Sequence, residues 1–267
     1  MLTSIRNPVV KQFRLLKQAK ERQRQGKILL EGTHLLEEAC EANIPFETLC
    51  YTAGWRDHHL PLLGKAIAQS QRSELVSDAV VAAIATTVNP DGVVAIAPYQ
   101  LGAAVPWDTP PTLPFLGVVV DALQDPGNLG TIIRTATAVD VDILWLSQGS
   151  VDPTHPKVLR ASAGQWFRLA MEISPDLPKT IEQLRTRFQP SPLQVIATSP
   201  NTNLSYWDID YRLPSLILVG NEGAGVSEPV LASADKVVQI PLSPHVESLN
   251  AAIATALVLY EAKRQRT

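Results

Sequence analysis

Apolar positions in this 267-residue chain fall into short blocks whose spacing switches repeatedly between continuous runs and helical periodicity. Near the N-terminus, Asn7-Pro8 offers a capping Asn followed by Pro at the first helical position, and Val9, Phe13 and Leu16 then recur at helical spacing. From there the pattern predicts a strand over 28–31, a helix over 33–40, a strand over 46–51 and a helix over 60–71. A last strand over 93–97 follows the turn Asn89-Pro90-Asp91-Gly92. These elements describe a small α/β domain over residues 1–97. Pro98, Pro106, Pro110, Pro111 and Pro114 then crowd into a stretch with neither period, which reads as a linker over 98–114.

In the remainder, 115–267, residues 115–120 form a continuous apolar run, and 142–146, 194–198 and 215–219 read as further strands. Helices are predicted over 131–139 and 249–264. Continuous apolar strands separated by helices indicate a parallel sheet covered on both faces, so the expected fold class is α/β with two domains. The final helix carries Ala251, Ala252, Ala254 and Ala256, small residues that allow another element to come close.

Composition keeps the chain globular, with 45% hydrophobic and 18% charged residues. No apolar run reaches the roughly 18 residues of a membrane span and no signal-type block opens the chain, so a soluble, cytoplasmic protein is expected. Cys40 and Cys50 lack a metal-type cluster and fit packing roles in a reducing compartment; no metal is expected. The net charge of −3 conceals an asymmetry. Residues 1–27 hold eight Lys or Arg and one acid, a local +7 against −10 elsewhere. Lys11, Arg14, Lys17 and Lys20 recur every third residue and are the expected contacts to RNA phosphates.

Ligands of an open parallel sheet bind at the carboxyl ends of its strands, which directs attention to three loops. The first runs from Asp121 through Asp125-Pro126-Gly127-Asn128-Leu129-Gly130 to Arg134-Thr135-Ala136. Asn128 is a plausible helix cap there, and Arg134 lies almost two turns into the helix, within reach of the loop mouth. The second is Gly220-Asn221-Glu222-Gly223-Ala224-Gly225, whose glycines admit a ligand against bare backbone. It is not the G-x-G-x-x-G fingerprint, and no such fingerprint follows Val120, which argues against a nicotinamide-dependent oxidoreductase. The third runs from Ile240 through Leu242 and Glu247-Ser248-Leu249-Asn250 into the last helix, which Ser248 or Asn250 could cap.

In this order the three loops resemble motifs 1, 2 and 3 of the SpoU/TrmH family of RNA 2'-O-ribose methyltransferases, within the SPOUT superfamily, over about residues 116–264. Asn7-Pro8-Val9-Val10-Lys11 and Leu30-Glu31-Gly32 resemble the family's ribosomal-protein-like, substrate-binding N-terminal extension. The resemblance implies a deep trefoil knot in the C-terminal domain, a homodimer, and S-adenosyl-L-methionine as cofactor. It implies cofactor contacts from Gly220, Ile240 and Leu249, with Leu218, Asn221, Leu242 and Asn250 nearby. It also implies catalytic roles for Arg134, Asn128, Glu222, Ser248 and Asn250. A guanidinium stays protonated at physiological pH, so Arg134 fits phosphate binding and stabilisation of alkoxide charge better than a base role. Asn128 and Ser248 would orient the ribose, while Glu222 would align polar groups or hold Asn128. Where relatives commonly carry glycine before motif 3, this chain has Ser243-Pro244-His245, whose stiffness predicts an altered loop path. Ribosomal RNA is the expected substrate, with transfer RNA or a noncatalytic RNA-binding role as alternatives.

Overall fold

The computed structural model describes residues 1–99, 115–189, 192–200 and 202–267. The predicted linker, beyond Pro98 and Tyr99, lies outside the described residues. The described chain divides into two units: 1–99 with 152–168, and 115–151 with 169–267.

The first unit opens with α1 (Pro8–Leu15), where Asn7 accepts a hydrogen bond from the Val9 amide and Pro8 occupies the first turn. Its apolar face buries Val9, Val10 and Phe13. After α2 (Ala19–Gln25) and its left-handed cap Gly26, the unit continues through β1 (Lys27–Glu31), α3 (Thr33–Glu41), β2 (Phe46–Tyr51), α4 (Ala53–His58) and α5 (Leu60–Ala68). It then adds β3 (Ser70–Leu75), α6 (Asp78–Ile84) and β4 (Val93–Pro98). The strands form a sheet in the order β1-β4-β2-β3, with β2 and β3 parallel and the other pairs antiparallel. The helix expected over 60–71 stops at Ala68, because Ser70 already pairs with Phe46. β3 escaped the periodicity because it is an edge strand bearing exposed Arg72 and half-buried Glu74, a composition that discourages further strand pairing.

The second unit is built on β5 (Leu116–Val120), α7 (Pro126–Ala138) and β6 (Ile143–Ser147). The chain then supplies α8 (Pro156–Ala161) to the first unit, and returns as β7 (Met171–Ser174), α9 (Leu177–Arg187), β8 (Gln194–Thr198) and β9 (Ser215–Val219). It ends with α10 (Glu228–Leu231), β10 (Lys236–Val238) and α11 (Ala251–Arg266). The sheet order is β10-β8-β9-β5-β6-β7 and every pairing among the described residues is parallel. β5 and β9 lie in the middle and are buried along their whole length, which accounts for the continuous apolar runs 116–120 and 216–219. Val119, Trp145, Val195, Ala197 and Leu218 project into one core with Leu177, Ile181 and Leu184 of α9, while α11 packs on α7.

The sequence pattern puts 115–267 in one domain, whereas 152–168 belongs with the first unit. The physical reason is a buried arginine. Arg22, 1% exposed, donates to Leu16 O and Lys17 O, to Thr154 Oγ1 at 3.0 Å, and to Asp152 at 2.5 Å. A guanidinium out of water needs all its donors matched, and Asp152 and Thr154 supply what the helix ends cannot. Among the described residues no helix is long and apolar enough to cross a membrane.

Candidate active site

The carboxyl ends of β8 and β9, with the approach to α11 and its first turn, line an open cavity of about 220 Å³. Its floor is backbone: Val219, Gly220, Asn221, Gly223 and Gly225 line it, facing Ile240, Leu242, Leu249 and Ala254. Gly220 is required by sterics. A Cβ there would lie 2.1 Å from the carbonyl carbon of Gly225 and from the Val226 nitrogen. The loop closes on itself through reciprocal backbone bonds between Asn221 and Gly225, at 2.9 and 3.0 Å. The Asn221 side chain is consumed in building it: Oδ1 accepts from the Gly223 and Ala224 amides, and Nδ2 donates to Ala122 O. What Asn221 leaves available at the cavity is its main chain.

Glu222 is held as a carboxylate. Its Oε1 accepts from the Asp125 amide at 3.0 Å and Asn128 Nδ2 at 2.9 Å, and Oε2 from the Gln124 amide at 3.2 Å. Partial burial acts to raise its pKa, but these hydrogen bonds outweigh it and hold the carboxyl below its ordinary range. Asn128 is buried, and its Oδ1 accepts from Asn250 Nδ2 at 2.8 Å. Asn250 in turn caps α11, accepting from the Ala252 and Ile253 amides. The amide orientations follow by elimination: the acceptor-only carboxylate faces the Asn128 NH₂, leaving the Asn128 oxygen for Asn250. One chain, Glu222–Asn128–Asn250, thus ties the three loops together.

Several expectations change in detail. The cap of α7 is Asp125, whose side chain accepts from the Asn128 amide, so Asn128 sits inside the first turn and its side chain is committed to Glu222 and Asn250 rather than free to touch a ribose. Leu218 is fully buried in the sheet core and does not line the cavity. Ser248 does line it, is exposed, and makes no side-chain hydrogen bond among the described residues. Arg134 is exposed on α7 and has no ion-pair or hydrogen-bond partner among the described residues. It is not a cavity wall residue; at 1.5 Å per residue it stands about 12 Å along the helix from Pro126, its side chain leaning back toward the loop. Pro244 is accommodated at the second position of a turn closed by the Val246 amide on Ser243 O at 2.9 Å, where proline's fixed φ is favourable. Thr198, Ser199 and Pro200 also line the cavity. They follow a strand whose limits the sequence showed, so the carboxyl-edge rule could have found them.

In the first unit, the basic series does not share one helix. Lys11 and Arg14 lie on α1, Lys17 between helices and Lys20 on α2, all exposed. Lys17 donates to Ala83 O and Ala85 O at the end of α6, and partial burial lowers its pKa. That ammonium closes a helix end. Arg6, Lys11, Arg14 and Lys20 form no salt bridge among the described residues, though Lys20 lies beside Glu21 and helps to lower its pKa.

Comparison with known proteins agrees with this geometry. Residues 116–260 match the model of the SpoU rRNA methylase family, and residues 7–95 that of the MRM3-like substrate binding domain. The chain belongs to the SpoU rRNA methylase family. It is 48% identical over 265 residues to an uncharacterised tRNA/rRNA methyltransferase of Synechocystis, covering 99% of this chain and 94% of that protein. A Bacillus subtilis relative, the 23S rRNA (guanosine(2553)-2'-O)-methyltransferase, is 30% identical with 97% of each chain covered. The crystal structure of an AdoMet-bound rRNA methyltransferase from Sinorhizobium meliloti superposes with a TM-score of 0.85 at 31% identity, covering 98% of this chain and 97% of that one. For a SpoU methylase, a cavity lined by loop glycines and an apolar wall is chemically compatible with the adenosyl group of its cofactor.

Proposed function

We propose that this chain transfers a methyl group from S-adenosyl-L-methionine to a ribose 2'-hydroxyl of ribosomal RNA. The observation that carries this is the cavity at the end of β9, floored by backbone that cannot bear a side chain at Gly220 and braced by Glu222–Asn128–Asn250. The bound cofactor would supply an electrophilic methyl carbon. Backbone groups of Gly220, Ile240 and Leu249 would hold it, with Leu242 and Ala254 against its apolar parts. Ser248 is the open hydroxyl at the cavity and would orient the ribose. Arg134, without an internal partner among the described residues, would bind the phosphate of the target nucleotide and stabilise charge developing on the attacking oxygen. Glu222 and Asn128 act one step back, keeping loop, helix start and α11 in register.

The same proposal includes a homodimer, a deep trefoil knot in the second unit and a cytoplasmic location. Ile253, Leu257 and Tyr260 support the dimer, since they form an exposed apolar stripe on α11 opposite its buried Ala252, Thr255, Val258 and Leu259. A helix that is apolar on both sides favours burial on both. The first unit would bring the RNA, through Arg6, Lys11, Arg14 and Lys20. Ribosomal rather than transfer RNA is favoured by the substrate-binding-domain match and by the Bacillus relative's target. The test is mapping of 2'-O-methyl sites in ribosomal RNA from a strain lacking the gene. Loss of one methyl, restored by the wild-type gene, is expected; an unchanged ribosomal map with a lost transfer-RNA methyl would redirect the substrate.

A further inference from the structure

Ala122 is a non-glycine residue at φ +53° at the junction of the first and second loops. A residue with a Cβ stays in the left-handed region only when its surroundings over-determine it, and such outliers concentrate where function needs a fixed geometry. Three side chains hold this peptide. Ser147 Oγ accepts from the Ala122 amide at 2.8 Å, and Asn221 Nδ2 and Gln124 Nε2 each donate to its carbonyl at 2.9 Å. Gln124 Nε2 also donates to Gly149 O at 2.8 Å.

One proton order satisfies all of these contacts at once. Ser150 Oγ donates to Val120 O at 3.2 Å, so in the 3.0 Å contact between the two hydroxyls Ser147 is the donor and Ser150 the acceptor. Ser147 thereby spends its hydrogen on Ser150 and keeps a lone pair for Ala122. The consequence runs onward to the cavity, because the Ala122 carbonyl sets the orientation of the Asn221 amide. Asn221 Oδ1 then fixes the Gly223 and Ala224 amides of the cavity loop. Gln124 contributes at both ends, since its own amide donates to Glu222.

We propose that Ser147, Ser150 and Gln124, none of which lines the cavity, are positioning residues that set the cofactor loop through the left-handed Ala122 peptide. The inference rests on the cavity being the S-adenosylmethionine site. Ser147→Ala removes the acceptor, frees the Ala122 peptide to rotate and loosens the Asn221 loop without touching the cavity wall. Restoring a residue that adopts φ > 0 at no steric cost should undo much of this, so Ala122→Gly is the compensating change.

The experiment compares full-length wild type, Ser147→Ala, Ser147→Thr and the double variant Ser147→Ala with Ala122→Gly. S-adenosylmethionine affinity is measured by calorimetry, amide hydrogen exchange at Gly223 and Ala224 in the ligand-free protein, and thermal unfolding as a control. Ser147→Ala should weaken cofactor affinity roughly 5–20-fold and speed exchange at those two amides, with the melting transition intact; Ser147→Thr should keep the hydroxyl and remain within about 2-fold of wild type. The double variant should recover most of the lost affinity. Wild-type affinity and exchange in Ser147→Ala would overturn the proposal. So would a folded double variant as weak as the single one. Absence of binding to the wild type would instead count against the cofactor site itself.

Discussion

Glu31 in the first unit and Glu222 in the second are both wrapped in hydrogen bonds, and the two do different work. In the first unit Glu31, 3% exposed, accepts from the amides and hydroxyls of Thr86 and Thr87 and from Arg160 at 3.1 Å. In the second, Glu222 accepts from Gln124, Asp125 and Asn128 beside an open cavity. Burial works to raise both carboxyls, and hydrogen bonding overrides it to hold both below their ordinary values. The difference lies in what surrounds them. Glu31 joins a strand end, a loop and α8 within one unit and so staples structure. Glu222 joins its own loop to the start of α7 and, through Asn128 and Asn250, to the third loop, at the edge of a sheet where ligands bind. A perturbed carboxylate is therefore a pointer to a site through its place at the carboxyl edge of the parallel sheet, not through the perturbation alone.

Breaking that comparison begins with the group neither carboxylate holds. Arg134→Ala should lower methyl transfer by roughly 10²–10³-fold while leaving cofactor affinity and melting temperature near wild type. Arg134→Lys should recover only part of the rate, because a bidentate fork becomes a point charge; near-wild-type turnover there would remove the phosphate-clamp role. Next, Glu222→Gln turns an all-acceptor group toward three donors, which should cost about 10–100-fold in transfer and weaken cofactor binding in calorimetry. In the wild type the same network is present above the ordinary carboxylate pKa and is lost as pH falls through the lowered value, so loosening of the loop should appear only on the acid side.

Glu31→Ala should destabilise the first unit by about 2–4 kcal/mol in denaturant unfolding, since it strips partners from Arg160 and two threonines, yet leave cofactor affinity unchanged. An equal loss of cofactor affinity would erase the contrast between the two carboxylates. The smallest effects belong to the surface. Lys11→Ala and Arg14→Ala should each weaken RNA binding modestly and reduce the salt slope by about one. Lys17→Ala should instead lower thermal stability, because its ammonium closes the end of α6.

What the sequence disclosed follows the same division. The buried strands β5, β8 and β9 were legible because a strand covered on both faces is apolar through its centre, and such runs stand out between polar turns. The edge strands β3, β7 and β10 were not, since a short or charged edge carries no pattern. Arg22 counted as one of eight basic surface residues and proved to be buried, because the segment that neutralises it lies 130 positions away. The three motif loops were legible as candidates, and their resemblance to SpoU methylases named the chemistry. Their internal division was not legible: that Asn221 and Asn128 spend their side chains on other loops depends on contacts across about a hundred residues. Leu218 illustrates the reverse, a residue next in sequence to the cavity but buried in the core.

The most direct measurement is chemical analysis of protein-free ribosomal RNA, taken from a strain lacking the gene and methylated by the purified chain with labelled S-adenosylmethionine. A methyl on the 2'-oxygen removes the nucleophile that alkali needs, so the label should remain in an alkali-resistant dinucleotide and yield one 2'-O-methylnucleoside on enzymatic digestion. Label released by alkali in a mononucleotide, or recovered on a base, would contradict ribose methylation.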